Sequence, residues 1–152
     1  DAALAYLISY FKNVDKPVLI CFFGDHQPHL PDSFYFQMTG KIPAGFTKEE
    51  ALKKYEVPFL IWANYDITEK EIDHISLNYL STEMAVDTGQ SMSAYQCFLQ
   101  AMRQEISSLS DNGCYDAEGR YYTLEEAPES MQQWIREYKI LQYYMLFDGQ
   151  ES

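Results

Sequence analysis

Leu4, Leu7, Ile8 and Phe11 recur at helical spacing and run into the breaker segment Asn13 to Pro17, which predicts an opening amphipathic helix of about three turns. Val18 to Phe23 follows as a continuous apolar run without alternation, the pattern of a strand covered on both faces, and it stops at Gly24-Asp25-His26-Gln27-Pro28. Gln27 to Gly45 mixes prolines, glycines and aromatics and reads as an irregular excursion tied down by ring packing. Thr47-Lys48-Glu49-Glu50 has the form of a capping box opening a short helix through Lys54. A second buried strand is expected over Val57 to Ala63, ending at Asn64-Tyr65-Asp66. Ile75 to Ala85 and Ser93 to Leu109 predict two helices, the second capped by Ser93 with Gln96 and striped by Tyr95, Phe98, Leu99, Met102, Ile106 and Leu109. Gly113 to Tyr122 places aromatic flanks around an acidic turn closed by Gly119, as in a hairpin, and a last helix is expected from Pro128 with Met131, Trp134, Ile135, Tyr138 and Leu141 on one face.

Helix, tight turn, buried strand and polar loop in that order predict an α/β fold: part of a mainly parallel sheet with flanking helices and a small carboxyl-terminal hairpin. In parallel α/β sheets chemistry gathers at the carboxyl ends of strands, which is where Asp25 and His26 fall.

The charge narrows the function classes. With 11 basic and 23 acidic residues the chain carries a net charge of -12, which excludes nucleic acid as a partner, because phosphate binding needs Lys and Arg to displace counterions. A hydrophobic content of 47% excludes a disordered tail. No stretch approaches the ~20 apolar residues of a membrane span, and the start lacks the pattern of a secretory signal. The chain begins at Asp1 and enters a helical pattern at once, so it is expected to be a piece of a longer protein. Cys21, Cys97 and Cys114 have no metal-type spacing and read as two buried thiols and one loop thiol.

Candidate chemistry concentrates at Gly24-Asp25-His26, where a carboxylate and an imidazole just past a strand can both reach one divalent cation. Oxygen with nitrogen suits Zn²⁺ or Mn²⁺ better than Ca²⁺. Gly24 is expected to turn the backbone so that both side chains point one way. His29 is a further candidate, as a third metal ligand or a contact to the phosphate, and Gln27 as a substrate contact. His74 reads as part of a helix's first turn, Asn64 and Asp66 as strand terminators unless a parallel sheet brings them to the catalytic side, and Trp62, Tyr65 and Tyr79 as packing residues. Ser76, Thr88 and Ser93 have no triad partners in a recognisable arrangement.

Phe22-Phe23-Gly24-Asp25-His26-Gln27-Pro28, Val57-Pro58-Phe59-Leu60-Ile61-Trp62-Ala63-Asn64-Tyr65 and Ile75-Ser76-Leu77-Asn78-Tyr79-Leu80, with the closing Tyr138-Lys139-Ile140-Leu141-Gln142-Tyr143, resemble successive landmarks in the carboxyl-terminal part of the sulfatase-type family that includes the lipoteichoic acid synthases. The resemblance covers nearly the whole chain in order. It implies an alkaline-phosphatase-like α/β domain on the extracytoplasmic face of a Gram-positive cell membrane, anchored by upstream helices of the parent protein. It further implies a metal-dependent phosphotransferase or a sulfuric or phosphoric ester hydrolase, the synthases moving glycerol phosphate from phosphatidylglycerol through a threonine nucleophile beside Mn²⁺. By the same resemblance Asp25 and His26 are two metal ligands, with Mn²⁺ ahead of Mg²⁺ or Zn²⁺, while the threonine and an acidic ligand lie upstream of this chain. The chain by itself is then expected to be inactive. Gln27-Pro28 followed by His29 departs from the synthases proper, which leaves the substrate, an anionic lipid phosphodiester or a sulfate ester, open.

On this reading residues 1–147 are the carboxyl-terminal portion of a sulfatase-like catalytic domain and 148–152 a frayed tail. Unpaired edges and exposed apolar surface are expected to make the isolated chain self-associate. A competing reading is a non-catalytic acidic interaction module in which Asp25 and His26 are inert.

Overall fold

The computed structural model describes residues 2–148. Helix α1 (Ala2–Phe11) and strand β1 (Leu19–Phe23) form as the apolar pattern predicts. Between β1 and β2 (Phe59–Ala63) the chain folds α2 (Asp32–Thr39), a single 3-10 turn at Pro43–Gly45 and α3 (Lys48–Leu52). Both halves of the capping box are made at α3: Thr47 accepts from the Glu50 N–H, and the Glu50 carboxylate accepts from the Thr47 N–H at 2.8 Å. The excursion is thus partly helical rather than irregular. Pro31, which has no N–H to satisfy, precedes α2 at the cap position; Asp32 adds an acidic first turn, and Gly40 ends the helix at φ 74°. Ring packing does hold this segment, with Tyr35 edge-on to Phe46 at 6.0 Å.

The expected parallel sheet is absent among the described residues. β1 and β2 pair antiparallel, Leu19 opposite Ala63 and Phe23 opposite Phe59, in a two-stranded sheet. A parallel pair needs a crossover that carries the chain back along the sheet, whereas the short helices between these strands return it to the end it left. The ladder continues past both strands through Gly24 N–H to the Pro58 carbonyl and Asn64 N–H to the Val18 carbonyl, each 3.1 Å. Phe22 and Phe23 stay 49% and 44% exposed, so a run without alternation marks two apolar faces and not two covered ones.

Asn64 sits at the far end of this sheet from Asp25. Its side-chain oxygen accepts from the Val18 N–H at 2.8 Å, and its amide donates to the carbonyls of Phe11, Val14 and Lys16 at 2.9–3.1 Å. Two amide protons facing three carbonyls means one proton is shared. Asn64 is therefore a staple joining the end of α1 to the sheet, and with the strands antiparallel it lies away from the candidate site.

The carboxyl-terminal half is built around α4 (Leu77–Thr88), α5 (Ala94–Arg103), β3 (Ile106–Ser110), β4 (Gly113–Asp116), β5 (Tyr121–Tyr122) and α6 (Glu129–Tyr143), followed by a π turn at Tyr144–Asp148. The Ser93–Gln96 capping box opens α5 as predicted, but the helix does not reach Leu109. Ile106 to Ser110 is β-branched and serine-rich, a poor helix former, and it finds a strand partner in β4 with Leu109 opposite Cys114 and Ser110 opposite Gly113. Ile106 still enters the core, fully buried, and Leu109 packs against it. The Gly113–Tyr122 hairpin forms with Gly119 at φ 77° and supplies the central strand and one edge strand of a three-stranded antiparallel sheet. At Gly113, φ 144°, a Cβ would lie 2.5 Å from the Tyr121 ring and 2.7 Å from the Tyr122 carbonyl, so no other residue fits. Pro128 occupies the cap of α6.

Tyr79, Leu99, Met102, Ile106, Cys114, Ala127, Met131, Ile135 and Tyr138 form the core cluster. Tyr79 is the packing residue the sequence suggests; Trp62 and Tyr65 are half-buried. The thiols differ from the expected pattern: Cys114 is buried, Cys21 half-buried and Cys97 exposed on α5, all unbridged. Beside the core, Glu83 is 6% exposed and accepts from both Lys70 and Arg103, while Lys70 also donates to Asp87 at 2.6 Å. This ionic network pins the loop after β2 to α4 and α5. Burial pushes the Glu83 carboxyl up, but the Lys70 and Arg103 bonds outweigh it and hold it below its ordinary value. The expected tail falls outside the described residues except for Asp148, whose backbone closes the π turn.

Candidate functional site

The loop that leaves β1 carries Asp25 and His26 side by side in solvent, their side chains 85% and 78% exposed. Gly24 contributes by close approach rather than by a turn. Its φ is not positive, and a Cβ there would sit 2.8 Å from the Val57 Cβ, so glycine lets the loop begin flush against the stretch that leads into β2. Asp25 Oδ1 accepts from the His26 N–H at 2.8 Å, which fixes the carboxylate, and Oδ2 faces His26 Nε2 at 3.6 Å.

The imidazole is oriented by its other nitrogen. His26 Nδ1 lies 2.9 Å from the Gln27 carbonyl, and because a carbonyl can only accept, Nδ1 carries the proton there. In the neutral ring this leaves Nε2 with a lone pair, 3.6 Å from Asp25 Oδ2. Two electron-rich atoms facing each other at that spacing favour a cation between them, and the spacing suits two ligands on one ion at ~2.1 Å each. The donor set of one carboxylate oxygen and one imidazole nitrogen matches a borderline divalent metal. The pair offers two donors and no third: among the described residues no group of three or more His, Cys, Asp or Glu is placed to hold a metal.

Gln27 does not face the pair. Its amide donates to the Glu56 carbonyl, tying the loop to the approach to β2, and His29 is exposed further along the loop. Asp66 is exposed at the opposite end of the sheet, beyond Asn64.

A cleft of about 550 Å³ opens beside Asp25, between the β1–β2 end and the three-stranded sheet. Its lining includes Tyr55, Glu56, Asp73, His74, Ser76, Ser110 and Tyr115. His74 is not in a first helical turn: it precedes α4, stacks on Tyr115 with ring centroids 5.5 Å apart and planes 5° apart, and places Nδ1 3.9 Å from Glu56. Ser76 fixes this stretch by bonding the Leu109 backbone through both N–H and carbonyl. Burial pushes the Tyr115 phenol above its ordinary value, and the carboxylates of Glu49 and Glu56 add to the shift, a sign of the negative field in the cleft. Nothing in the local sequence of His74 signals this position, since Tyr115 is brought to it by the β3–β4 pairing.

The loop at Asp25 lies within the segment that decides the family. Residues 1–92, more than half of the chain, match the Sulfatase family model. The chain belongs to the sulfatase family. Sulfatase-family enzymes generally use metal ions, and their fold is of the alkaline-phosphatase-like α/β type, represented here by helices and two small antiparallel sheets. A protein of Rhizobium meliloti (strain 1021) named for cyclic beta-1,2-glucan modification is 25% identical over 167 aligned residues, which cover 100% of this chain and 24% of the relative. The chain therefore spans about a quarter of the length of that relative. No solved structure matches the chain. No helix among the described residues is long and apolar enough to cross a membrane.

Proposed function

We propose that the chain is the carboxyl-terminal portion of a sulfatase-family catalytic domain that transfers or hydrolyses a phosphate or sulfate ester at a divalent metal, with Asp25 and His26 as two of the ligands. One observation carries the reading: a carboxylate and an imidazole, both exposed and both held by backbone hydrogen bonds, leave Oδ2 and Nε2 3.6 Å apart. When bound, the metal polarises the ester and offsets charge developing on its oxygens. Asp25 holds Oδ2 available by spending Oδ1 on the His26 N–H, and His26 holds Nε2 available by spending Nδ1–H on the Gln27 carbonyl. Gln27 anchors the loop on Glu56, so its part is positioning.

With a net charge of -12 the chain does not attract an anionic ester by its overall field, which makes a local cation the fitting device. The specific form of the proposal is a lipoteichoic-acid-synthase-like transfer of glycerol phosphate from a lipid phosphodiester with Mn²⁺. A threonine nucleophile lies elsewhere in a membrane-anchored parent whose catalytic domain faces away from the cytoplasm. The relative named for cyclic beta-1,2-glucan modification supports a carbohydrate as the group that is modified. Exposed Phe22, Phe23 and Leu60 on the two-stranded sheet are surfaces that the rest of such a domain covers.

Calorimetric titration of Mn²⁺ and Zn²⁺ into the full chain tests the ligand assignment. The Asp25→Ala, His26→Ala double variant is expected to lose affinity by more than about tenfold for the metal that binds. Equal affinity in both proteins rejects the assignment and leaves the acidic interaction module as the reading.

A further inference from the structure

The cleft beside Asp25 is rich in acceptors and poor in cations. Among the described residues it is lined by the carboxylates of Asp25, Glu56 and Asp73 and by no lysine or arginine. A phosphate or sulfate group inside it meets three carboxylates and no lysine or arginine, apart from whatever cation is held at its Asp25 edge. A neutral polyhydroxylated ligand meets what it requires, because ionised carboxylates accept from hydroxyl groups and a fixed planar ring covers the apolar C–H face of a sugar. The planar element is built in. Tyr115 backs the His74 ring at 5.5 Å and is itself buttressed edge-on by Tyr121 at 5.7 Å, while the His74 side chain remains 47% exposed. Tyr55, 64% exposed, adds a second ring to the same cleft. A volume of about 550 Å³ is that of a small-ligand site.

We propose that this cleft seats a carbohydrate acceptor, a neutral glucosyl unit laid on the outer face of His74 with its hydroxyls hydrogen-bonded to Glu56 and Asp73. The inference deepens the transfer reading by giving the acceptor a place next to Asp25, and it rests on that reading for the word acceptor; the sugar binding itself does not need the metal. No covalent step is assigned to the cleft.

The test is saturation-transfer NMR and calorimetry of the full chain with a β-1,2-linked glucose disaccharide, in EDTA so that metal plays no part. Saturable binding is expected. His74→Ala and Tyr55→Ala, both at exposed positions outside the core, are each expected to weaken it by about tenfold, with unchanged circular dichroism. Absence of saturable binding, binding unaffected by both substitutions, or displacement of the sugar by inorganic phosphate overturns the proposal. Sugar binding together with a failed metal titration keeps the cleft and removes the metal site; the opposite pair of results keeps the metal site and removes the cleft.

Discussion

The two halves of the molecule are held together by different physics. Of thirteen buried hydrophobic side chains among the described residues, Leu52 alone precedes Tyr79; the other twelve lie from Tyr79 to Tyr138. The carboxyl-terminal half therefore has a hydrophobic core closed by α4, α5, α6 and the three-stranded sheet. The amino-terminal half, which carries the Asp25–His26 pair and most of the family match, relies on the β1–β2 ladder, the Asn64 staple and the ion network of Lys70. Stability and candidate chemistry are thus segregated. A site on thinly buried elements needs its positioning from hydrogen bonds, and the bonds that orient Asp25 and His26 are of that kind.

The comparison makes graded demands. Leu99, fully buried at the centre of the core, is expected to cost about 2–5 kcal/mol when truncated to Ala, lowering the denaturation midpoint of the whole chain. A loss confined to the carboxyl-terminal half, with amino-terminal amide protection intact, would show instead that the halves unfold independently.

Glu83 links the halves, and its contribution depends on pH in a definite direction. Its folded carboxyl is held below the ordinary value, against its burial, by Lys70 and Arg103. The stabilisation it gives is therefore complete above the ordinary glutamate value and is lost as pH falls through the lowered folded value. Glu83→Gln is expected to destabilise by about 2–4 kcal/mol at neutral pH, taking the carboxylate from Arg103 and leaving Lys70 with Asp87 alone, with the gap to the native chain narrowing on acidification. Denaturant titrations stepped from neutral to acid pH measure this; a gap that stays constant sinks the claim.

The smallest of the three effects belongs to the staple. Asn64→Ala removes four hydrogen bonds, shared over two amide protons and one oxygen, at a half-buried position, and is expected to cost about 1–3 kcal/mol. Hydrogen exchange is expected to rise at Val18 and through α1 while the core amides of α5 stay protected. A uniform rise across both halves would mean that the staple supports the entire fold rather than its amino-terminal part.

Much of the local structure was legible because it is written in short-range terms. The capping boxes at Thr47 and Ser93, the Gly119 turn and the apolar runs of β1 and β2 all depend on residues within a few positions of each other. The error at α5 has the same origin: Met102, Ile106 and Leu109 fit a helical stripe, and only the presence of β4 as a partner turns the last two into strand residues. Helix α2 was hidden by prolines that read as breakers although one of them is a helix start.

By itself the sequence determined the Asp25–His26 pair, its place just past an apolar strand, the elements on either side and the acidic charge of the chain. Strand direction, and with it the removal of Asn64 from the site, was decided by the tertiary structure, because an apolar run is the same in either direction and pairing depends on where the intervening chain returns. The placement of His74 on Tyr115 beside Glu56 was decided there too, since contacts between residues tens of positions apart exist only once the sheets and helices have packed.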